Sequence, residues 1–227
     1  MIRSQFLSLL DESQKPLVAD GAMGTMLNAS GVSFNACFDQ LNLSQPDVVT
    51  AVHRAYIEAG AQIIQTNTFG ANRFKLADHD HEDMVQEINR AGVELSKRAT
   101  PDSFKRVLVA GDVGPLGVHL APFGRVQLDS ARKAFAEQIT SLANAGVDLL
   151  IFETFSDLYE IREAIHAAHE NCDLPLVASM TFTRDDRTLL GDNPRKVAKA
   201  LENYGADVIG INCSGGPNQL LRILREM

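Results

Sequence analysis

Short apolar runs alternate along this chain with longer stretches of helical periodicity. Between two of the runs, for example, Val48, Val49, Val52 and Ala55 fall on one helical face. Continuous apolar strands joined by helices predict a parallel sheet that is covered by helices. The predicted strands lie near Leu17 to Asp20, Gln62 to Thr66, Val107 to Gly111, Leu149 to Glu153, Leu176 to Thr181 and Val208 to Asn212.

Glycines mark the ends of three predicted helices. Gly60, Gly146 and Gly205 each follow the last turn of a helical stretch and precede a predicted strand by a few residues. Glycine is favoured just after a helix C-terminus because it adopts the left-handed conformation without steric cost. The same connection between a helix and a strand is therefore expected at three places.

Polar residues follow the predicted strands all along the chain. In a barrel these residues would meet at one mouth, whereas an open sheet would leave the outer ones away from its crevice. The sequence therefore predicts a (β/α)8 TIM barrel, with an open doubly wound sheet as the alternative. About six βα units are visible, so we expect one barrel domain, residues 1–227, that lacks its C-terminal part. The polar residues are Asp20, Thr66 to Thr68, Asp112, Glu153, Thr181, Asn212 and Cys213.

Composition excludes several classes of protein. A formal net charge of -8 argues against a nucleic-acid-binding surface, which needs a concentrated field of Lys and Arg. No apolar run reaches the length of a membrane span, and the first residues lack the pattern of a signal peptide. Three cysteines are typical of a reducing compartment and not of a disulfide scaffold. We therefore expect a cytoplasmic protein with no membrane partner.

Cys213 stands where the last predicted strand gives way to a loop that opens a helix. The residues after it, Ser214 to Pro217, are small or turn-forming, so a ligand can approach the backbone there. A thiolate at a strand end can bind a metal or attack a substrate. Cys213 is thus the first candidate for chemistry in this chain.

Six segments of the chain resemble motifs of the homocysteine S-methyltransferase family, and they occur in the same order as in that family. They are Asp20 to Thr25, Gln65 to Gly70, Gly111 to Gly117, Phe152 to Asp157, Ser179 to Phe182 and Gly210 to Cys213. The resemblance implies a (β/α)8 barrel in which zinc, held by three cysteine thiolates, binds the sulfur of homocysteine. It identifies Cys213 as the first zinc ligand and implies transfer of a methyl group to homocysteine, forming methionine.

The resemblance leaves the methyl donor open. Methylcobalamin, supplied from methyltetrahydrofolate through another module or chain, is favoured, and S-methylmethionine and betaine are the alternatives. No cobalamin or folate module is visible in the sequence. We therefore expect a methyl-donor module or a small-molecule donor as a partner, beside homocysteine itself.

The other two cysteines do not complete a zinc site. Cys172 precedes a predicted strand, so it lies at the amino end of the sheet, about 17 to 20 Å from the opposite mouth. Cys37 is expected to be a small buried hydrophobic residue. A catalytic zinc site needs three protein ligands, so we expect this chain to be inactive alone and to need a completing C-terminal fragment or domain.

Candidate substrate-binding residues follow from the charges of an amino acid. Asp20 and Glu153 are predicted to hold an ammonium group, and the backbone N–H groups of Gly21, Ala22 and Met23 to hold a carboxylate, as the resemblance also implies. Asn67 and Thr68 are predicted to add neutral hydrogen bonds. Capping of the following turn or helix is the structural alternative for Asp20 and Glu153.

Three further alternatives bear on the site. The segment Asp78 to Asp83 alternates His with acids, yet a solvated, acidic helix start explains it better than a metal site. A lyase or aldolase would need a Lys at a strand end, and none is found there. A catalytically dead domain that only binds homocysteine remains open, because one thiol stands where three are needed.

If the barrel is incomplete, two of its strands should have an unpaired edge. A closed barrel has no free strand edges, so loss of its last units exposes two of them. We expect the first and sixth strands at the open edges of a six-stranded sheet, with Cys213 beside the gap.

Overall fold

A parallel sheet forms the centre of the computed structural model, which describes residues 2–100 and 107–227. The strands within these residues are β1 (Ile63–Gln65), β2 (Leu108–Val113), β3 (Leu149–Phe155), β4 (Leu176–Met180) and β5 (Val208–Ile211). The helices before β2 are α1 (Arg3–Glu12), α2 (Met23–Ala29), α3 (Leu41–Ser44), α4 (Pro46–Glu58), α5 (Arg73–Ala77), a 3-10 turn (Glu82–Met84) and α6 (Val85–Ala99). The later helices are α7 (Leu128–Ala145), α8 (Leu158–Asn171), α9 (Pro194–Tyr204) and α10 (Pro217–Glu226).

The order of the strands distinguishes the two predicted architectures. The order is β1-β2-β3-β4-β5, and every neighbouring pair is parallel. A doubly wound sheet would reverse its order at a switch point, whereas successive strands of a barrel are neighbours throughout. The prediction of an incomplete (β/α)8 barrel is therefore confirmed, and the open doubly wound alternative is wrong.

The prediction of a strand at Leu17 to Asp20 is wrong. This segment makes a single bridge, Ala19 to Ile63, beside β1, so the sheet has five strands and not six in the described residues. The pairing stops because the Asp20 side chain takes the next N–H of β1, that of Gln65, at 2.9 Å. On the other side of the bridge, the Val18 N–H donates to the side-chain oxygen of Gln62 at 3.1 Å and not to a backbone carbonyl.

The two faces of the sheet bury different clusters. Side chains alternate between faces along a strand, so Leu108, Ala110 and Asp112 share one face of β2. Leu108 and Ala110 pack with Phe6 of α1, which covers the amino end of this inner face. The opposite, outer face packs against the helices in the main cluster, which includes Phe135, Ile139 and Phe152. An inner face with an apolar floor thus opens toward the carboxyl ends of the strands.

The predicted helix boundaries are confirmed. Gly60, Gly146 and Gly205 have φ angles of 107°, 85° and 91°, in the left-handed region that glycine favours. α4 forms where the apolar periodicity of Val48 to Ala55 predicts a helix, and the acidic residues Glu82 and Asp83 begin the turn that leads into α6. Within the segment Asp78 to Asp83, the predicted acidic helix start is thus found at Glu82 and Asp83, whereas Asp78 caps the end of α5.

One edge of the sheet has apolar surface that nothing in the described chain covers. β5 pairs with β4 alone, and all of its residues are only half-buried, whereas β2 is buried throughout. On the adjacent α10, Leu221 and Leu224 are 48% and 52% exposed. The bridge of Ala19 lies at the opposite edge, outside β1. The predicted edges are thus found where expected, although the first is a bridge and not a strand.

We expect residues 1–227 to self-associate through this uncovered surface, because apolar patches of more than a few hundred Å² are rare on monomers. Sedimentation velocity should show an average mass that rises with concentration. Lysine at Leu221 and Leu224 should reduce the association, whereas Leu7→Lys on α1 should not. A concentration-independent monomer with a sharp, reversible unfolding transition would contradict this expectation.

Candidate active site

Polar side chains gather at the carboxyl end of the inner face. Asp112 ends the inner row of β2, Glu153 that of β3, and Asn212 follows β5, while Asp20 lies beside β1. In the inner rows of β2 and β3, apolar residues lie before these acids, nearer the amino ends of the strands: Leu108 and Ala110 before Asp112, and Leu149 and Ile151 before Glu153. The sheet therefore brings together residues that lie up to 192 positions apart in the chain (Asp20 to Asn212).

Asp20 is tied to the end of β1 by hydrogen bonds. Its carboxylate accepts from the Gln65 backbone N–H at 2.9 Å and from the Gln65 side-chain amide at 3.3 Å. Burial, together with a smaller effect of the Glu153 charge, raises the pKa of Asp20 to about 6 in spite of these bonds. Asp20 is thus a held, partly desolvated carboxylate whose ionised form would be stabilised by a ligand cation.

The chain after Asp20 enters the short helix α2. Ala22 precedes its first turn, and its carbonyl accepts a hydrogen bond from the Tyr56 hydroxyl at 3.1 Å. A side chain in place of Gly21 would lie 3.1 Å from that hydroxyl, so glycine lets the turn approach Tyr56. Among the described residues, no acceptor takes the backbone N–H groups of Gly21, Ala22 or Met23.

Asn67 and Thr68 use their side chains within the protein. The Thr68 hydroxyl donates to the Asp112 carbonyl at 2.8 Å and lies 2.6 Å from the Thr66 hydroxyl. The Asn67 amide donates to the Phe38 carbonyl at 2.7 Å and to Asn42 Oδ1 at 3.0 Å. Both residues are buried and fasten the end of β1 to its neighbours. Their direct contact with a ligand stays a prediction.

Asp112 is the most deeply buried acid of the group. It is 5% exposed, and its Oδ1 has no hydrogen-bond partner among the described residues. Burial, followed by the charge of Glu153, raises the pKa of Asp112 well above its ordinary value. The neighbouring Asp112 side chain in turn lowers the pKa of Glu153, against the effect of burial. Two carboxyl groups in contact cannot both ionise readily, so Asp112 is the one that keeps the proton.

A break in the regular pairing of β3 presents Glu153. The register of β3 against β4 shifts between Phe152 and Phe155, and Thr154 has a φ of 62°. Such irregularities re-aim a side chain and persist where the surroundings hold them. Burial raises the pKa of Glu153, and the neighbouring Asp112 side chain opposes this shift. Glu153 thus points out of a distorted strand end, with a protonated acid behind it.

Asn212 holds this distorted segment in place. Its side-chain amide donates to Glu153 Oε2 at 2.6 Å and to Thr154 Oγ1 at 2.8 Å. In return, Asn212 Oδ1 accepts from the Thr154 backbone N–H at 2.9 Å. These bonds join the ends of β3 and β5 across β4. The sequence analysis placed Asn212 among the polar residues at the strand ends, but it assigned Asn212 no role, and this positioning role is seen only in the structure.

Cys213 lies at the rim, as expected for a residue that ends β5. It is exposed, its φ is 44°, and its sulfur lies 3.5 Å from the Asn212 side-chain nitrogen. A left-handed conformation is uncommon for a residue other than glycine and is often found at functional sites. In the described parts of the chain, however, no group of three His, Cys, Asp or Glu residues is arranged to hold a metal. The described residues therefore offer one thiol and do not form a complete zinc site.

The remaining cysteines lie elsewhere. Cys172 caps the end of α8 before β4, at the amino end of the sheet, as predicted. Cys37 packs beside Leu76, Val85 and Ile88, and burial raises its thiol pKa, as expected of a small hydrophobic residue. Both findings agree with the sequence analysis.

Lys75 is a residue whose position sequence reasoning missed. Its Nζ lies 4.1 Å from the centroid of the Phe69 ring, and burial lowers its pKa. The charges of Asp39, Glu160 and Asp112 act on this ammonium. It reaches them because Gly117 has no side chain: a Cβ there would lie 3.1 Å from Lys75 Cγ. Lys75 thus offsets part of the negative charge of Asp39, Asp112 and Glu160.

Known proteins resemble this chain in sequence. The model of the homocysteine S-methyltransferase family matches residues 17–227. Methionine synthase of Mycobacterium tuberculosis (strain ATCC 25618 / H37Rv) is 32% identical over 231 residues, which cover 95% of this chain and 19% of that protein. Methionine synthase of Mycobacterium leprae (strain TN) is 31% identical over the same coverage. The chain thus spans about a fifth of the length of these curated relatives.

A solved structure agrees with the sequence matches. The metallated homocysteine methyltransferase MmuM from Escherichia coli superposes with a TM-score of 0.82 at 25% identity, covering 96% of this chain and 81% of that one. Its apo form superposes with a TM-score of 0.75 at 27% identity. Since the family model covers nearly the whole chain and the fold agrees, this protein belongs to the homocysteine S-methyltransferase family.

Proposed function

We propose that this chain forms the homocysteine-binding part of an enzyme that transfers a methyl group to the homocysteine thiol, forming methionine. The observation that carries this proposal is the convergence of Asp20, Glu153 and Cys213 on one end of the sheet. Two acids suit the ammonium group of an amino acid, and a thiol at the rim suits a thiol-binding metal. Family membership supports the same assignment.

The acids would hold homocysteine by its amino group. Glu153 is the ionised member of its pair because Asp112 keeps the shared proton, and Asn212 fixes its position. Asp20 would provide the second charge from the opposite side of the inner face. The N–H groups of Gly21, Ala22 and Met23, which no described acceptor uses, would receive the carboxylate. This arrangement orients the substrate without a covalent bond to the protein.

Zinc dependence is part of the proposal for the parent protein. Bound zinc keeps a thiol deprotonated near neutral pH, where free homocysteine is mostly protonated. Of the three ligands that such a site needs, the described residues supply Cys213 alone. The remaining ligands would have to come from a completing fragment or domain.

The donor and the partners are proposals as well. A methylcobalamin-carrying module, charged from methyltetrahydrofolate, is the favoured donor because the curated relatives are methionine synthases of about five times this length. A small-molecule donor is the alternative. No helix within residues 2–100 and 107–227 is long and apolar enough to cross a membrane. A cytoplasmic location stays a prediction.

Binding of homocysteine tests the proposal directly. Asp20→Asn should weaken binding of L-homocysteine roughly tenfold or more, because a charged hydrogen-bond partner is lost. The same variant should leave 4-mercaptobutyrate, which lacks the ammonium group, unaffected. Wild-type affinity should fall as pH falls through about 6, where Asp20 takes up its proton. Titration calorimetry would measure all three, and equal losses for both ligands would contradict an ammonium pocket.

Metal binding distinguishes the chain from its parent protein. We expect residues 1–227 alone to bind zinc weakly and to transfer no methyl group to homocysteine, since one thiol stands where three are needed. Competition with a chromophoric chelator would measure the zinc affinity. Tight, stoichiometric zinc that is lost in Cys213→Ala but kept in the control Cys172→Ala would overturn the expectation.

A homocysteine-binding chain without catalytic activity is the second candidate function. The single thiol favours it for this chain taken alone. Homocysteine binding with no methyl transfer, even when a complementary C-terminal fragment of a family member is added, would identify it.

A further inference from the structure

Thr154, beside Glu153 in β3, has a backbone conformation that its own side chain disfavours. Its φ is 62°, in the left-handed region, where a branched β-carbon crowds the neighbouring backbone. Among the described residues other than glycine that have a positive φ, Thr154 alone is branched at the β-carbon; the others are Asp80, Asp186 and Cys213. A strained conformation persists where neighbouring groups hold it, and such positions cluster at functional sites.

Two hydrogen bonds hold Thr154 in this conformation, and both join it to the side chain of Asn212. The Thr154 backbone N–H donates to Asn212 Oδ1 at 2.9 Å, and Thr154 Oγ1 accepts from Asn212 Nδ2 at 2.8 Å. Thr154 therefore binds both ends of the amide. A flipped amide would set two donors against each other at the Thr154 N–H, so Thr154 fixes which way the amide of Asn212 points.

The orientation of this amide decides which atom faces Glu153. The nitrogen Nδ2 carries two hydrogens, and Thr154 Oγ1 accepts one of them. The second is available to Glu153 Oε2, at 2.6 Å, whereas the sulfur of Cys213 is more distant, at 3.5 Å. In the flipped orientation the amide oxygen would face the carboxylate, and two acceptors repel each other. Thr154 thus acts on Glu153 through Asn212.

We propose that Thr154 is a positioning residue for substrate binding, whose hydroxyl orients the Asn212 amide so that this amide holds the Glu153 carboxylate toward a ligand ammonium. The inference rests on the proposed function, because it takes Glu153 to receive the amino group of homocysteine. A merely structural role, in which Thr154 fills space at the irregular end of β3, is the alternative. The structural role needs the shape of the side chain, whereas the positioning role needs its oxygen.

Valine and serine at position 154 separate these two roles. Thr154→Val keeps the shape and the branched β-carbon without the oxygen, and it should weaken homocysteine binding about fivefold in titration calorimetry. Thr154→Ser keeps the oxygen without the methyl group, and its affinity should stay within about twofold of the wild type. Neither variant should change binding of 4-mercaptobutyrate, which has no ammonium group. Equal affinity in all three proteins, or a greater loss in Thr154→Ser than in Thr154→Val, would overturn the proposal.

A double-mutant cycle tests whether Thr154 acts through Asn212. Asn212→Ala should weaken homocysteine binding roughly tenfold, and adding Thr154→Val should weaken it no further, because the hydroxyl has no amide left to orient. Independent roles would multiply the two losses to roughly fiftyfold, which would contradict the proposal. Thr140→Val is a matched control and should bind as the wild type does. Thr140 is also half-buried, and its hydroxyl donates to the side chain of Asn171, which ends α8 at the opposite end of the sheet.

The side-chain amide of Asn212 gives a readout that does not involve homocysteine. Both of its hydrogens are hydrogen-bonded, so their NMR signals should lie downfield of those of free side-chain amides. Thr154→Val should move one signal toward the free position, and Thr154→Ser should leave both in place. Leu221→Lys and Leu224→Lys in every sample would limit association. Signals that do not respond to Thr154→Val would overturn the role of Thr154. A wild-type chain that binds no homocysteine would contradict the proposed function, and the amide signals would still decide whether Thr154 orients Asn212.

Discussion

Glu153→Gln should weaken homocysteine binding roughly 10- to 150-fold, because a half-buried ammonium loses its charged partner. The glutamine keeps the shape of the side chain and an acceptor for the Asn212 amide, so the fold should persist. Titration calorimetry on residues 1–227 would give the affinity. Unchanged affinity would show that the amino-group pocket is assigned wrongly.

The size of this effect depends on Asp112. Burial raises the pKa of Asp112 well above its ordinary value, so Asp112 keeps its proton and leaves the negative charge of the pair on Glu153. Removing the charge from Glu153 therefore removes the net charge of the pair. Glu170→Gln serves as a control for loss of a carboxylate on an exposed helix surface.

Asn212→Ala should lower both stability and homocysteine affinity. The Thr154 N–H and the Glu153 carboxylate each lose a partner at 2.9 and 2.6 Å, and polar groups left unpaired cost about 1 to 3 kcal/mol each when buried. We expect a loss of about 1 to 3 kcal/mol in the free energy of unfolding, since both groups are only half-buried. Homocysteine should bind roughly tenfold more weakly because Glu153 is no longer fixed.

Urea unfolding and calorimetry would measure the two effects in parallel. Asn144→Ala is a matched control, because Asn144 is exposed in the last turn of α7, just before β3 begins, and so lies at the opposite end of the sheet from the site. Loss of affinity without loss of stability would place Asn212 in direct contact with homocysteine. Wild-type stability and affinity together would contradict the role of Asn212 as the residue that joins β3 to β5.

Periodicity in the sequence predicted most of the fold. Five of the six predicted strands exist, with ends shifted by one or two residues, because continuous apolar runs report burial on both faces of a parallel sheet. The run from Leu17 to Asp20 has the same composition, yet it forms one bridge. There, the carboxylate of Asp20 replaces the backbone as the partner of Gln65, and composition does not report that exchange.

The sequence predicted where the candidate site lies, but it did not predict the contacts between the residues of the site. Strand-end positions located Asp20, Glu153 and Cys213 at one mouth, because the carboxyl ends of parallel strands share an edge. The roles of Asp112 and Asn212 depend on contacts across the sheet, over 41 and 59 positions of sequence. The position of Lys75 beside the acids likewise depends on a close approach past Gly117.

The amino-acid sequence by itself determined the class of fold, the family and the end of the sheet at which the polar residues lie. These follow from local periodicity and from motifs that occupy short stretches of chain. Only the tertiary structure decided which acid keeps a proton and which residue holds the distorted end of β3. Burial and hydrogen bonding set those properties, and both are produced by residues that meet only when the strands pair.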